Sequence, residues 1–475
     1  MTASLPVVVS PSRREAAMRF LYERIDYERA VYMPYHRDSL KLARMRELLR
    51  RLGNPQDGLP IVHIAGTKGK GSTAAMIAAV LTAAGYRTGL FTSPHLERME
   101  ERLTIDGAPC PTDEFVELVE RVAPVVRRMD GRGGQRPSAD SGPTYFEITT
   151  AMGLLRFAQR GVQIAVMEVG LGGRLDSTNV CWPRVSVITS ISLDHTKQLG
   201  KTEEAIAWEK AGIIKRGVPV VSGVTHPGAR DVIRSACRRR RSRLVELGRD
   251  FSFEYRPPRG LEQAPAWGEV DFEYHGPGGP RTFRDIRLGL VGRHQGANAA
   301  VALATLSQLQ AAGWEICESA VRSGLESLVW PARVEVIARR PAVIIDAAHN
   351  VASVEALLRT LQESFAVRKR ILIFATTQEK DVPGMLRRLL PAFDHVVLTQ
   401  YLDNPRAVPL AELCATAEAV SGQRWPAFCR PVDAWHAARA LASADDLICV
   451  TGSFFIAAQL RHEVQASRQH EHTTT

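Results

Sequence analysis

Residues 59–84 run from an apolar strand through a glycine-rich turn straight into an alanine-rich helix, and few folds accommodate that succession. The strand portion, Ile61-Val62-His63-Ile64-Ala65, is apolar on both faces apart from one histidine. Side chains alternate across a strand, so such a run offers no face to water and must be covered on both sides. Helices above and below a parallel sheet meet that demand. Similar runs recur at 87–91, 164–169, 185–190 and 219–222, and again at 342–346, 370–376, 395–399 and 446–451, with amphipathic helical stretches between them. The expected class is α/β with parallel-rich sheets.

At the usual size of roughly 100–200 residues per domain, 475 residues hold two or three domains. The best break lies near Leu328-Val329-Trp330-Pro331, where one α/β block closes on a helix and a fresh strand-loop-helix series starts. This gives an N-terminal domain at 1–329 and a smaller C-terminal domain at 330–475. Two stretches read as irregular: a Gly/Pro/Ser-rich loop at 131–142, and a segment at 257–280 that suggests a small β appendage before a helix at 295–312.

Composition narrows the function classes. An apolar fraction of 45% and a charged fraction of 24% are ordinary for a globular protein. No stretch approaches the roughly 18 apolar residues of a membrane span, and the short apolar run at 5–9 lacks the basic flank of a secretory signal. A cytoplasmic protein without a membrane partner is expected. Seven cysteines at 110, 181, 237, 317, 414, 429 and 449 show no CxxC spacing, which fits reduced thiols rather than a disulfide frame or zinc site. The net charge of +10 suits anionic substrates. Its densest part, the arginine run at 238–243, reads as a solvated helix end, because no aromatics interleave and no nucleic-acid module accompanies it. No nucleic-acid partner is expected, and the chain is read as a monomer.

The turn itself points to chemistry. In Gly66-Thr67-Lys68-Gly69-Lys70-Gly71-Ser72, glycines let backbone N–H groups converge on phosphate oxygens, and the helix N-terminus adds a favourable dipole. Lys70 supplies a compact positive charge for the β- and γ-phosphates, while the hydroxyl of Ser72, with Thr73 behind it, is placed to hold Mg²⁺. Gly71 between lysine and serine separates this turn from the standard P-loop spacing. The bland alternative, a plain glycine turn, leaves the lysine and hydroxyl unexplained. Glu168 ends the apolar strand QIAVMEV, at the crevice beyond strand carboxyl ends where ligands bind in open α/β sheets. A carboxylate there can hold Mg²⁺ against phosphates. Asp194 and His195 also end a strand, although a lone histidine is more often a core or surface residue. On pattern alone Lys210 is a solvated helix lysine.

The variant GTKGKGS, followed by SPHL at 93–96, resembles the Mur ligase superfamily, and within it the folylpolyglutamate synthase and bifunctional dihydrofolate synthase family. TYFEITT (144–150), EVGLGGRLDSTN (168–179), SISLDHTKQLG (190–200), EKAGIIK (209–215), GRHQGANAA (292–300), WPAR (330–333), DAAHN (346–350) and TGS (451–453) follow in family order. The N-terminal RIDYERA and DSLKLARM also match the family's opening. The resemblance implies a Mur-ligase-like P-loop ATP-binding domain and a smaller C-terminal Rossmann-like domain. It implies an ATP- and Mg²⁺-dependent ligase that joins folate or dihydropteroate to L-glutamate through an acyl phosphate. It makes Glu168 a metal ligand, gives His195 to a second Mg²⁺, and makes Lys210 a carbamylated ligand, so that Lys70, His195 and Lys210 form the catalytic set. Asn298 is assigned to adenine, Arg333 and His349 to the phosphates, and Asp346 to the ribose. SPHL, Tyr145, Phe146 and Glu147 either line a pterin crevice or, for the aromatics, pack in the core. Lys68, WPAR and ATTQEKD (375–381) depart from the commoner family forms. Three rivals are a peptidoglycan-precursor ligase of the Mur type, a P-loop kinase or ATPase, and a nucleic-acid binder using the arginine run.

Overall fold

The computed structural model describes residues 11–26, 42–130, 142–276, 278–402 and 404–473, so the loop read at 131–142 lies outside the described residues apart from Gly142, as does most of the segment 24–45 that carries the opening motifs. The chain divides into two compact units. The first comprises the described residues up to Ser252 together with Phe272–Thr282 and Asn298–Leu325; the second comprises Phe253–Asp271, Phe283–Ala297 and the described residues from Glu326 onward.

The first unit is built on seven strands: β1 (Ile61–Ala65), β2 (Thr88–Phe91), β3 (Leu103–Ile105), β4 (Ile164–Glu168), β5 (Val185–Ile188), β6 (Val220–Ser222) and β7 (Leu244–Glu246). Their order is β3-β2-β4-β1-β5-β6-β7, parallel throughout except for β3, which runs antiparallel to β2 at one edge. Strand β1 sits in the middle, and all five of its residues are buried. Burying Ile61, Val62 and Ile64 contributes roughly 1.5–3 kcal/mol per side chain. The helix Lys70–Ala83 is buried from Ser72 to Ala78, and its alanines let it lie close to β2 and β4. Helix Tyr145–Gln159 starts at a capping box in which Thr144 accepts from the Glu147 N–H and the Glu147 carboxylate accepts from the Thr144 N–H.

Strands β8 (Phe251–Arg256), β9 (Gly268–Tyr274) and β10 (Arg281–Leu288) form a small sheet in the order β10-β9-β8, which is the β appendage read at 257–280. Alternate residues of β9 are buried, as a sheet covered on one face requires. The helix Arg293–Ala311 follows.

The second unit carries β11 (Glu335–Arg339), β12 (Ala342–Ile345), β13 (Arg370–Phe374), β14 (His395–Thr399), β15 (Ala427–Phe428) and β16 (Leu447–Thr451) in the order β11-β12-β16-β13-β14-β15. Only β11 is antiparallel to its neighbour. The four central strands are the apolar runs read in the sequence. Strands β3, β11 and β15 are edge strands, short or half-exposed, and carry no continuous apolar run. All seven cysteines are free thiols. Among the described residues no helix is long and apolar enough to cross a membrane.

Candidate active site

The parallel register sets Glu168, the last residue of β4, beside Ile64 near the end of β1, so the carboxylate and the glycine turn leave the sheet side by side. Glu168 is buried; one oxygen accepts the Ser93 N–H at 3.2 Å and the other stands 3.9 Å from Lys70 Nζ. Lys70 opens the helix Lys70–Ala83, with Gly69 as its left-handed N-cap at φ 77°.

Both glycines at the start of the turn are there because nothing larger fits. A Cβ on Gly66 would run into Thr189 Oγ1, and one on Gly69 would run into the side-chain oxygen of Asn298. The turn is also tied down on its far side. The Thr67 N–H donates to the Ser190 carbonyl (2.8 Å) and the Lys68 N–H to Ser190 Oγ (3.1 Å). The hydroxyls of Thr189 and Ser190 donate back to the Lys68 carbonyl at 2.6 and 3.0 Å, and Thr67 Oγ1 donates to the Ser192 carbonyl at 3.2 Å. The sequence reading picked out the strand run 185–190 and the motif 190–200, which hold Thr189, Ser190 and Ser192, but missed these three residues, whose work is visible only once β5 is known to lie beside β1.

Ser72 and Thr73 are buried in the first helical turn, and Thr73 Oγ1 has no hydrogen-bond partner among the described residues. A buried, unmatched hydroxyl costs about 1–3 kcal/mol, which marks a place where a ligand atom is wanted.

Lys210 is not the solvated lysine that pattern alone suggests. It is buried, and its Nζ donates to the Gly66 carbonyl at 2.9 Å. Burial first, and then the charge of Lys70, lower its pKa to about 7, against the opposing pull of Asp194, Asp176 and Glu209. His195 caps a short helix, Thr196–Leu199, in the left-handed region at φ 49°. Its Nε2 lies 4.0 Å from Asp194 Oδ1, and its N–H donates to the same carboxylate at 2.9 Å. Lys70, Glu168, Lys210 and Asp194 thus interact around one turn, with Ser72, Thr73 and Asn298 against it. Among the described residues no three His, Cys, Asp or Glu side chains gather as a metal cluster. The donor set here is instead hydroxyl plus carboxylate, which suits Mg²⁺, an ion that keeps several waters and takes few protein ligands.

Of the residues read as pterin contacts, Tyr145 is buried, with its ring stacked on Tyr22 and its hydroxyl on Met99 Sδ; Glu147 is taken by its capping box and by Arg44 at 2.8 Å. Phe146 is half-buried, 6.0 Å from the Phe91 ring.

A second polar chain supports the floor of the crevice. His63, in the middle of β1, is fully buried with Nε2 2.8 Å from Thr178 Oγ1, and that hydroxyl donates to Asp176. Asp176 in turn accepts the N–H groups of Leu171 and Thr178, holding the glycine loop that follows Glu168. Burial, with Lys215 adding to it, lowers the His63 pKa to about 3. Its folded pKa lies below the unfolded value, so its neutral form is fully accommodated above about pH 6.5 and stability is lost as pH falls toward 3. The expected loss between pH 7 and pH 5 is about 2 kcal/mol from this group. Thermal midpoints across that range should fall less steeply in His63→Gln than in the parent; equal slopes would show that His63 does not set the acid limit.

In the second unit, Arg333 and His349 both face Phe454: the guanidinium carbon is 4.7 Å from its ring centroid and the imidazole 6.0 Å. Asp346 is buried and its two oxygens accept the N–H groups of Val334 (2.9 Å) and Ala348 (2.8 Å). Burial raises its pKa, against the charge of Arg333. The carboxylate therefore fixes the backbone on either side of Arg333 and His349. His294, which the sequence reading passed over, is half-buried in the same unit, with its pKa lowered to about 4 by desolvation and by Arg333.

A family profile described as "Mur ligase middle domain" matches residues 64–306, and one described as "Mur ligase, glutamate ligase domain" matches residues 332–454. The chain is 36% identical over 427 residues to the dihydrofolate synthase/folylpolyglutamate synthase of Bacillus subtilis, covering 89% of this chain and 95% of the relative. It is 38% identical over 423 residues to the folylpolyglutamate synthase of Lacticaseibacillus casei, covering 88% and 93%. Its structure superposes with a TM-score of 0.84 on Mycobacterium tuberculosis folylpolyglutamate synthase complexed with ADP and AMPPCP, at 34% identity over 95% of this chain and 98% of that one.

Proposed function

The chain belongs to the folylpolyglutamate synthase/dihydrofolate synthase family of Mur-type ligases, and we propose that Lys70, Glu168 and Lys210 are the centre at which it uses ATP to join glutamate to folate. The reaction class, an ATP-dependent ligase adding glutamate to folate, is that of its relatives along most of its length. A muramoyl-peptide ligase, the sequence-level alternative, has no specific feature in its favour.

The observation that carries the assignment of the site is the Glu168 carboxylate, buried at a strand end beside a preformed phosphate turn and 3.9 Å from Lys70. Lys70 neutralises charge on the β- and γ-phosphates. The amides of Gly69, Lys70, Gly71 and Ser72 cradle them, while Gly66 and Thr67, the latter with its N–H already given to the Ser190 carbonyl, shape the turn. Ser72, with Thr73 behind it, and Glu168 would hold Mg²⁺, which would supply further neutralisation of phosphate charge. His195 would serve a second metal position. Lys210, whose amine is deprotonated in substantial part near neutral pH, is available for carbamylation by CO₂ to become a carboxylate-like ligand. Asn298 meets adenine, Arg333 and His349 serve the phosphates, and Asp346 positions their loop in addition to the ribose role read from the sequence.

The folate carboxylate attacks the γ-phosphate to give an acyl phosphate and ADP; the glutamate amine then attacks the acyl carbon and expels phosphate. These steps need positioning and charge stabilisation rather than a covalent enzyme intermediate. A cytoplasmic monomer is the setting proposed. ADP release measured with tetrahydrofolate, dihydropteroate or a muramoyl peptide, each with and without glutamate, tests the reading. Release that depends on both a pterin substrate and glutamate is expected. Turnover with the muramoyl peptide alone would refute it. The dihydropteroate arm decides whether the chain also runs the first reaction named in the Bacillus subtilis relative.

A further inference from the structure

We propose that the amino-terminal edge of the seven-stranded sheet, at the opposite strand ends from the phosphate turn, is a binding surface for single-stranded nucleic acid. Three adjacent strands begin there. Arg184 precedes β5, Lys215 and Arg216 precede β6, and the run 238–243 precedes β7. The loops are bonded to one another: the Gly217 N–H donates to the Arg240 carbonyl at 3.0 Å, Ser242 Oγ to the Lys215 carbonyl at 2.8 Å, and the Ser186 N–H to the Pro219 carbonyl at 3.0 Å.

No aspartate or glutamate occurs in residues 177–193, 210–230 or 232–245. Arg184, Arg216, Arg238, Arg240, Arg241 and Arg243 are exposed, and among the described residues none of them forms an ion pair. The nearest carboxylate beyond the run, Glu246, is buried and already engaged by Arg230, Arg234 and Arg249. Lys215 reports the crowding: burial first, then the charges of Arg46 and Arg240, hold its ammonium below the usual lysine range.

A helix end alone would explain Arg238, Arg239 and Arg240 as complements of the helix dipole. It does not explain Arg184 and Arg216, which come from other loops. The aromatic absent from the arginine run is supplied by the fold: Trp182, two residues before Arg184, is 66% exposed. With adjacent strands about 4.8 Å apart, the loops lay cations in a line. Guanidinium groups match phosphate bidentately, and an exposed indole stacks a base, which is the recipe of sequence-tolerant single-strand binding. An anionic membrane would ask for more than one exposed apolar side chain at that edge.

The test is fluorescence anisotropy of the full chain with a labelled single-stranded oligonucleotide over a salt series. The logarithm of affinity should fall linearly with the logarithm of salt, with a slope of about −0.7 per phosphate engaged. Arg238→Ala with Arg240→Ala should make that slope shallower by about 1.4, and Trp182→Ala should weaken binding by about tenfold. Glutamate ligation should be unchanged in all of them. No binding at low salt, or a slope that the arginine changes leave untouched, overturns the proposal. So does equal competition by a γ-linked oligoglutamate, or tighter binding to phosphatidylglycerol vesicles.

Discussion

Lys70→Ala should lower ATP-dependent glutamate ligation by about 10³-fold or more, the loss seen when a cation facing a transferring phosphoryl group is removed. The reason is local. Glu168 is buried with Lys70 as a neighbouring cation, and without it the carboxylate faces the triphosphate's negative charge directly. The fold should be untouched, because residue 70 is the first of its helix and alanine is the best helix former. Steady-state rates and the thermal midpoint of the variant check both halves of the expectation. Activity within tenfold of the parent would remove the phosphate turn from the mechanism.

Gly66→Ala should cost about 10²-fold in kcat, through displacement rather than lost contact. The new methyl would strike Thr189 Oγ1, with Thr189 Cβ at 3.1 Å and the Ser190 N–H at 3.3 Å closing off escape. Overpacking of this kind also destabilises by roughly 1–3 kcal/mol, so the thermal midpoint should drop. Since Gly66 also receives the Lys210 ammonium on its carbonyl, the displacement reaches two members of the site at once. Adding Thr189→Ala opens the space and should restore part of the rate, although it also removes the hydroxyl bond to the Lys68 carbonyl. Two strictly additive losses would show that the collision is not what Gly66 avoids.

Much of the architecture is legible before any coordinates. Strands β1, β4, β12, β13, β14 and β16 declare themselves as apolar runs because they are buried on both faces, and the phosphate turn declares itself by glycines, lysine and hydroxyl. What stays hidden depends on neighbours distant in sequence. Lys210 looks like a surface lysine because its helix is short and polar; only the Gly66 carbonyl, 144 residues away, shows it to be buried. His63 hides as an oddity in an apolar strand until Thr178 is placed against it. The ribose role read for Asp346 came from resemblance, whereas its two backbone bonds explain its position in terms of its own loop. The short edge strands β3 and β15 leave no periodic signature to read.

The tether between residues 67–68 and 189–192 consists of amides and hydroxyls, with no charged partner in it. Nucleotide association should therefore involve little ordering of the chain, giving a small heat-capacity change and fast capture. Ionic strength should act on the lysines that greet the phosphates and leave the receptacle itself indifferent to salt.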